Sequence, residues 1–407
     1  VKILQVNTVC GTGSVGRIAL DLYRVIEEKG SKCLIAYGRG STPANIHAIK
    51  VNSKLDFYSH VIYQFITGAN GFASAQCTKK LIREIEHYNP DIIHLHNIHG
   101  FYLNIELFFE YLKRRNKPVV WTLHDCWSFT GHCAYFDYVS CDKWKSGCHN
   151  CEQFKSAYPY GLLHDNSANN YKRKKELFNG LKQLTIVTPS KWLKDYVKHS
   201  FLQEYPVEVI YNGIDLEQFK PVKGKLTKQY CEEDKHVILG VANMWEPRKG
   251  LKYFERLADL LPEEYKIILV GLSEKQKKKL HPKITGITRT QNVNELAQLY
   301  SLASVYVNAT LEDNFPTTNL EALACATPVI TFATGGSVES VDEGCGMVVP
   351  KGDTKKLKSA IEQLCKVNMD EIQQKCLEKS KQYNKNDRFE EYMNLYQKVY
   401  EDKANDK

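Results

Sequence analysis

Val305-Tyr-Val-Asn-Ala-Thr-Leu-Glu-Asp-Asn-Phe-Pro-Thr-Thr-Asn-Leu-Glu-Ala-Leu-Ala-Cys-Ala-Thr-Pro-Val-Ile-Thr-Phe332 reads as a strand, a short loop, a helix and a second strand in immediate succession. Val305–Val307 is the first strand, the helix begins about Pro316–Thr318, and Pro328–Phe332 is the strand that follows. A strand that returns through a helix predicts parallel pairing in a helix-covered sheet. The same alternation extends outward in both directions. Val237–Val241 is a continuous apolar run, as a strand buried on both faces requires. Leu251, Phe254, Leu257, Ala258 and Leu261 then form one helical face, and Ile267–Val270 is another strand.

The first half repeats the pattern. Strands are expected at Ile3–Val6, Cys33–Ala36, Ile92–Leu95, Val119–Leu123 and Leu184–Val187. Val15, Ile18, Ala19, Leu22, Tyr23 and Ile26 give the first helix an apolar face. Asn89-Pro90 stops a helix, and Ser190 is placed to cap one. Between the halves, the polar, aperiodic stretch Gln218–Lys235 is the best candidate linker. From Asp387 onward, Phe389, Tyr392, Leu395, Tyr396 and Val399 mark an amphipathic helix.

Composition sets the bounds. The chain has 407 residues, which suits two domains rather than one core. Hydrophobic residues make up 43% and charged residues 25%, the balance of a globular protein. The first residues read as a buried strand rather than a signal peptide, and no apolar run is long enough for a membrane span. A cytoplasmic location is expected. The net charge of +8 includes lysine-rich runs at Lys172–Lys175 and Lys275–Lys279. The bland reading of each is a solvated helix face, and the functional one is attraction to an anionic acceptor or to a membrane surface. Nucleic acid is not expected, because no aromatic–basic interleaving accompanies the charge.

Two glycine- and carboxylate-bearing loops carry candidate chemistry. Cys10-Gly-Thr-Gly-Ser-Val-Gly16 opens a helix directly, so backbone amides can approach an anion, and Gly13 and Ser14 are read as donor-binding. No acidic residue ends the second strand as a dinucleotide site needs, and a tight turn without ligand is the alternative. In the second half, Asp313 and Glu321 stand eight residues apart across a loop and a helix start. The helix N-terminus offers amides to a phosphate or sugar oxygen, while carboxylates can accept from pairs of hydroxyls. The alternative makes Glu321 a solvated residue and Asp313 a cap. His124, at the end of Val120-Trp-Thr-Leu-His-Asp125, stands where open α/β sheets bind ligands. His94, His96 and His99 cluster after another strand. Alternation sends His94 and His96 to one face, which disfavours a metal trio and suggests lining of an acceptor cleft.

Thirteen cysteines are an odd number for a disulfide framework. Cys133, Cys141, Cys148 and Cys151 follow C-x7-C-x6-C-x2-C inside a long polar and aromatic loop. Four thiolates that end in a C-x-x-C pair suit a tetrahedral structural zinc, or another metal bound the same way. Two disulfides are the alternative, and His132 and His149 are substitute ligands. Closed coordination would make such a metal structural, with no catalytic metal expected.

The loop at Asp313–Glu321 resembles the E-x7-E signature of the retaining glycosyltransferase family 4. Ala324-Cys-Ala-Thr-Pro-Val-Ile330 is similar to that family's small-residue–Thr–Pro–Val segment. Pro189-Ser190, Asn212-Gly-Ile-Asp215 and Arg248-Lys-Gly250 also fall in the family's order. The resemblance spans nearly the whole chain and looks most like bacterial exopolysaccharide and capsule-type members. It implies the GT-B architecture, an α/β fold of two facing Rossmann-like domains with a cleft between them and a C-terminal helix. The boundaries it implies are an acceptor-side domain at 1–215, with a cysteine-rich insertion at 126–151, and a nucleotide-sugar domain at 216–384. Residues 385–407 would pack back on the first domain.

Roles follow from the resemblance residue by residue. Glu321 would hold the nucleotide ribose and Asp313 the transferred sugar, while Asn314, Phe315, Pro316 and Thr317 would line the donor. Arg248 and Lys249 would neutralise the diphosphate, a task that cations at a leaving phosphate perform on physical grounds alone. His124 would stand near the reacting sugar. Attack would come from the donor's front side, with the leaving phosphate taking the acceptor's proton. Three positions depart from the pattern: Asp313 replaces a usual Glu, Ala326 replaces a usual Gly, and the strand before Arg248 ends without the usual Gly-Arg. The expected partners are a nucleotide-sugar donor and a glycan or lipid-linked acceptor, with peripheral contact at the inner face of a membrane allowed. An epimerase of the same fold and a silent nucleotide-sugar-binding protein are the competing readings. The first would need an acid/base pair that the donor loop does not offer.

Overall fold

Strands and helices alternate along the computed structural model, which describes residues 1–230 and 235–405, and the strands assemble into two parallel sheets. The first contains β1 (Lys2–Cys10), β2 (Lys32–Gly40), β3 (Ala48–Lys50), β4 (Ile92–Leu95), β5 (Val119–Thr122), β6 (Leu184–Thr188) and β7 (Val207–Val209). Their order is β3-β2-β1-β4-β5-β6-β7. The second contains β8 (His236–Val241), β9 (Tyr265–Val270), β10 (Ile284–Ile287), β11 (Val305–Asn308), β12 (Val329–Phe332) and β13 (Gly346–Val349), in the order β10-β9-β8-β11-β12-β13. Strand order therefore reverses once in each sheet, between β1 and β4 and between β8 and β11. At such a switch point the loops leaving the carboxyl ends of the strands diverge and open a crevice for a ligand.

The chain divides into two compact units, Val1–Ile210 with Phe389–Lys407, and Tyr211–Arg388. In the first, side chains alternate across the sheet into two cores. Leu4, Val6, Ile93, Leu95 and Trp121 face one way, with Phe109 and Phe178 from covering helices. Ile3, Ile35, Ile92, Val120 and Val187 face the other, beneath the Gly13–Glu28 helix. The C-terminal helix Lys385–Asn405 completes that second layer with Phe389, Tyr392, Leu395 and Tyr396. In the second unit one continuous core surrounds the sheet, and the short Thr317–Ala324 helix is buried along most of its length.

The Gln218–Lys235 stretch is not a free linker. Phe219 is buried in the core of the second unit, Val222 N–H donates to Ser301 Oγ at 3.1 Å, and Lys225–Tyr230 is helical. Its few apolar residues pack singly, so they leave no periodic signal. Residues 231–234 of the stretch lie outside the described residues.

Candidate active site

The loops that leave β8 and β11 meet at the switch point of the second sheet. After β8 the chain reaches a 3-10 turn at Pro247–Lys249 and then Gly250, whose φ is +79°. A Cβ there would stand 2.0 Å from the Ala309 carbonyl oxygen, so only glycine lets this turn lie against the end of β11. Leu311 N–H donates to Arg248 O at 2.7 Å, and the Arg248 guanidinium donates to Glu312 O at 3.0 Å. The two loops are thereby tied into one surface. Lys249 Nζ meets Asp313 Oδ2 at 2.5 Å, with both side chains largely withdrawn from water. Burial pushes the Asp313 carboxyl up, but the Lys249 and Arg248 charges more than offset this and hold it below its usual range. Two cations and a carboxylate thus share one small region at the carboxyl edge of the sheet.

The backbone after Asp313 is held by nearby side chains. Asn314 N–H folds back onto Asp313 Oδ1 at 3.0 Å, and Phe315 O accepts from Asn212 Nδ2 at 3.0 Å. Pro316 is the N-cap of the Thr317–Ala324 helix and gives it no side-chain cap. Glu321 is buried, not a solvated helix residue, and accepts from Tyr300 OH at 2.9 Å. Glu312, adjacent to Asp313, is fully buried as well. The sequence reading assigned no role to Glu312 or Tyr300, since neither falls on a position of the signature. Ala326, in the place of the usual glycine, has φ of +63° and so occupies the left-handed region that favours glycine.

In the first unit the glycine-rich turn leaves β1 at its own switch point. Gly13 (φ +66°) and Ser14 are exposed at the start of the Gly13–Glu28 helix, whose N-cap Thr12 makes no side-chain bond. His94 and His96 share a face, as alternation requires, with ring centroids 4.0 Å apart. They line no cleft, however: both are buried. His94 Nδ1 bonds Tyr396 OH at 2.6 Å and its Nε2 bonds Thr122 Oγ1 at 2.8 Å. His96 Nε2 bonds Gln5 Oε1 at 3.0 Å, and its Nδ1 reaches His124 Nε2 at 3.2 Å. His124, half-buried at the end of this chain, is pushed down to about 4 by burial, so its imidazole is neutral at pH 7.

Asp125 is a residue that sequence reasoning passed over, although it directly follows His124. Its Oδ2 meets His99 Nε2 at 2.9 Å, and His99 Nδ1 meets Tyr158 OH at 2.9 Å. Its Oδ1 accepts the Trp127 N–H at 2.9 Å. Asp125 therefore orients both His99 and the start of the cysteine-bearing loop.

In the lysine run at 172–175, read as a solvated face, Lys174 is fully buried and donates to Trp127 O at 2.8 Å and Thr130 O at 3.1 Å. Helical spacing explains this, since Asn170, Tyr171, Lys174 and Phe178 share the inward face. The described cysteines carry free thiols. Among the described residues, no three His, Cys, Asp or Glu side chains stand in an arrangement that holds a metal ion. None of the described helices is long and apolar enough to cross a membrane.

Comparison with known proteins agrees with this fold. The model of the family Glycosyltransferase Family 4 matches residues 15–218, half of the chain, and that of Glycosyl transferases group 1 matches residues 235–366. The glycosyl transferase WcaC of Escherichia coli (strain K12), named for colanic acid biosynthesis, is 24% identical over an alignment covering 98% of this chain and 100% of its own. CapM of Staphylococcus aureus, a capsular polysaccharide biosynthesis glycosyltransferase, is 26% identical over 38% of this chain and 43% of its own. Among solved structures, sucrose-phosphate synthase from Thermosynechococcus elongatus superposes with a TM-score of 0.73 at 16% identity, covering 98% of this chain and 99% of that one. Anabaena HepE, solved in complex with UDP, superposes with a TM-score of 0.70 at 15% identity, covering 98% and 100%. Two Rossmann-like parallel sheets, the paired loops of the second and the family matches lead to one conclusion: the chain belongs to glycosyltransferase family 4 and is a glycosyltransferase of the GT-B fold.

Proposed function

We propose that this enzyme transfers a sugar from a nucleoside-diphosphate sugar to a glycan or lipid-linked acceptor in surface polysaccharide synthesis, with retention of anomeric configuration. The observation that carries the proposal is the grouping of Arg248, Lys249 and Asp313 at the β8/β11 switch point. Arg248 and Lys249 meet the diphosphate there and stabilise the charge that grows on it as the bond to the sugar breaks. Asp313 exchanges its Lys249 partner for hydroxyls of the sugar when the donor arrives, and Glu321 takes the ribose. Asn314, Phe315, Pro316 and Thr317 line the donor, and Gly13 and Ser14 approach it with backbone amides. His124, held neutral, positions the reacting sugar. The new glycosidic bond forms as the sugar–phosphate bond breaks, and the acceptor's proton passes to the departing diphosphate. The HepE structures, solved in complex with UDP and with UDP-glucose, support a nucleotide-sugar donor. The names of WcaC and CapM support the polysaccharide setting.

The same reading places the enzyme on the cytoplasmic face of a membrane that carries its acceptor. Its support is the Lys54–Thr67 helix, which buries His60 and Gln64 while exposing Leu55, Tyr58, Ile62 and Ile66. Those four recur at helical spacing on one face. Leu162 and Leu163, both exposed, join the patch because their N–H groups donate to Phe65 O. Contiguous exposed apolar surface of this kind suits insertion into a lipid headgroup region. A structural zinc on Cys133, Cys141, Cys148 and Cys151 completes the proposal. Incubation with nucleotide sugars and lipid-diphosphate-linked glycans, followed by NMR of the product, tests it. A new linkage with the donor's anomeric configuration is expected. An inverted linkage would overturn retention, and an epimerised donor in the absence of acceptor would favour the epimerase.

A further inference from the structure

Gln5 lies fully buried on β1, and its amide fits only one way round. The amide nitrogen stands 3.1 Å from Ala19 O and 3.4 Å from Cys33 Sγ. A backbone carbonyl can only accept, so the NH2 group faces Ala19 and the amide oxygen faces the other way. There the oxygen meets His96 Nε2 at 3.0 Å. Two lone pairs at that distance would repel, so His96 carries its proton on Nε2 and donates it to Gln5.

His96 has no place for a second proton. It is 1% exposed, and the rings of His94 and His124 stand 4.0 and 5.5 Å away, centroid to centroid. Burial, and then the nearness of His94, holds this ring far below the ordinary imidazole range. A neutral ring with its proton on Nε2 offers a lone pair at Nδ1. That atom lies 3.2 Å from His124 Nε2. The two ring planes are only 18° apart, as an in-plane N–H donating to an in-plane lone pair requires. The backbone fixes the middle ring in place. His96 N–H donates to Val6 O at 2.9 Å, and His96 O accepts from Trp121 Nε1 at 3.2 Å.

We propose that Gln5 and His96 are positioning residues for His124, holding it as the tautomer with its proton on Nε2 and so fixing Nδ1 as a hydrogen-bond acceptor. The chain of inference starts at a carbonyl that cannot donate, Ala19 O, and each partner along it sets the next. His124 then meets a ligand by accepting from a hydroxyl, not by donating to a sugar or phosphate oxygen. A ring set this way has no proton at Nδ1 to hand to the leaving diphosphate. Naming a hydroxyl of the transferred sugar as the donor to Nδ1 rests on the transferase reading above, whereas the tautomer does not.

The test uses the full chain with isotope-labelled histidine rings and no ligand. Long-range nitrogen–proton correlation NMR separates protonated from unprotonated ring nitrogens, and the His124 signals are assigned by their absence from His124→Ala. At neutral pH the wild type is expected to show His124 protonated on Nε2 and unprotonated on Nδ1. The opposite tautomer, or a doubly protonated ring, would overturn the proposal. Gln5→Leu takes away the acceptor of the buried His96 Nε2–H, and an unmet N–H there favours moving the proton to Nδ1. His96 then donates to His124 Nε2, so the ratio of the two His124 tautomers is expected to fall about tenfold or more. An unchanged ratio in the folded variant would overturn the positioning role, and Gln5→Met gives the same reading if Gln5→Leu does not fold. UDP-, GDP-, ADP- and TDP-glucose are then titrated into the labelled wild type. A bound donor is expected to move the Nδ1 signal and to leave Nε2 protonated, and binding with Nδ1 unmoved would overturn the hydroxyl contact. No binding of any of the four counts against the transferase reading alone, because the tautomer is read without ligand.

Discussion

Asp313 and Lys249 are each other's partners in the absence of donor, and each is expensive to strand. Lys249→Met removes the ion-pair partner of a mostly buried carboxylate, leaves it to the Arg248 charge and is expected to cost about 2 kcal/mol of stability. If the same ammonium meets the diphosphate as proposed, kcat/KM should fall roughly 100-fold. Denaturant unfolding and initial rates check both, and a stable variant with full activity would contradict the assignment. Glu321→Gln is milder by design. Tyr300 OH keeps an acceptor, so the fold should hold, while loss of the proposed charge-assisted bond to the ribose should weaken nucleotide binding roughly tenfold. Ala326 gives a stabilising prediction. Its φ of +63° strains any residue with a Cβ, so Ala326→Gly should raise stability by about 0.5 kcal/mol in thermal unfolding, and a loss would contradict the strain.

At the scale of elements, the strand–helix alternation was legible because both sheets are parallel and covered on both faces. Val237–Val241 is apolar throughout for that reason, and Ile92–Leu95 is buried throughout, with His94 as its one polar residue. The donor loop was legible because the E-x7-E spacing and the Thr–Pro–Val segment fix a strand, a helix start and the next strand. What the spacing could not show is which groups meet across distant loops. The contacts of Lys249 with Asp313 and of Asp125 with His99 join residues 64 and 26 positions apart, and local pattern carries no such information. The Lys54–Thr67 helix is a further case. It carries an apolar stripe at helical spacing, yet the structure turns that stripe outward and buries His60 and Gln64 instead. Replacing Ile62 and Ile66 by serine is therefore expected to leave thermal stability unchanged while lowering binding to anionic lipid vesicles several-fold. Vesicle flotation checks this, and a large drop in melting temperature would mean that the stripe is core after all.

For the whole molecule, acid sensitivity should concentrate in the first unit. Burial pushes His60 down to about 4 and His94 to about 3, against an ordinary value of 6.5. Between those values the unfolded chain takes up protons that the folded chain refuses, so stability is full at neutral pH and falls as pH drops below about 6.5. The slope is about 1.4 kcal/mol per pH unit for each such histidine, before any local rearrangement relieves it. Urea midpoints at pH 7, 6 and 5 should therefore decline, and a flat series would show that these histidines are not held neutral.

The most direct test of the central claim, that the β8/β11 loops of the second sheet bind a nucleotide sugar through Arg248, Lys249, Asp313 and Glu321, is one thermal-shift panel. UDP-, GDP-, ADP- and TDP-sugars are titrated against the wild-type chain and against Glu321→Gln. A ligand that binds the native state raises the melting temperature by mass action. One nucleotide class should shift the wild type, with the curve displaced to roughly tenfold higher ligand in the variant. No shift with any nucleotide sugar, or superimposable curves for the two proteins, would contradict the claim.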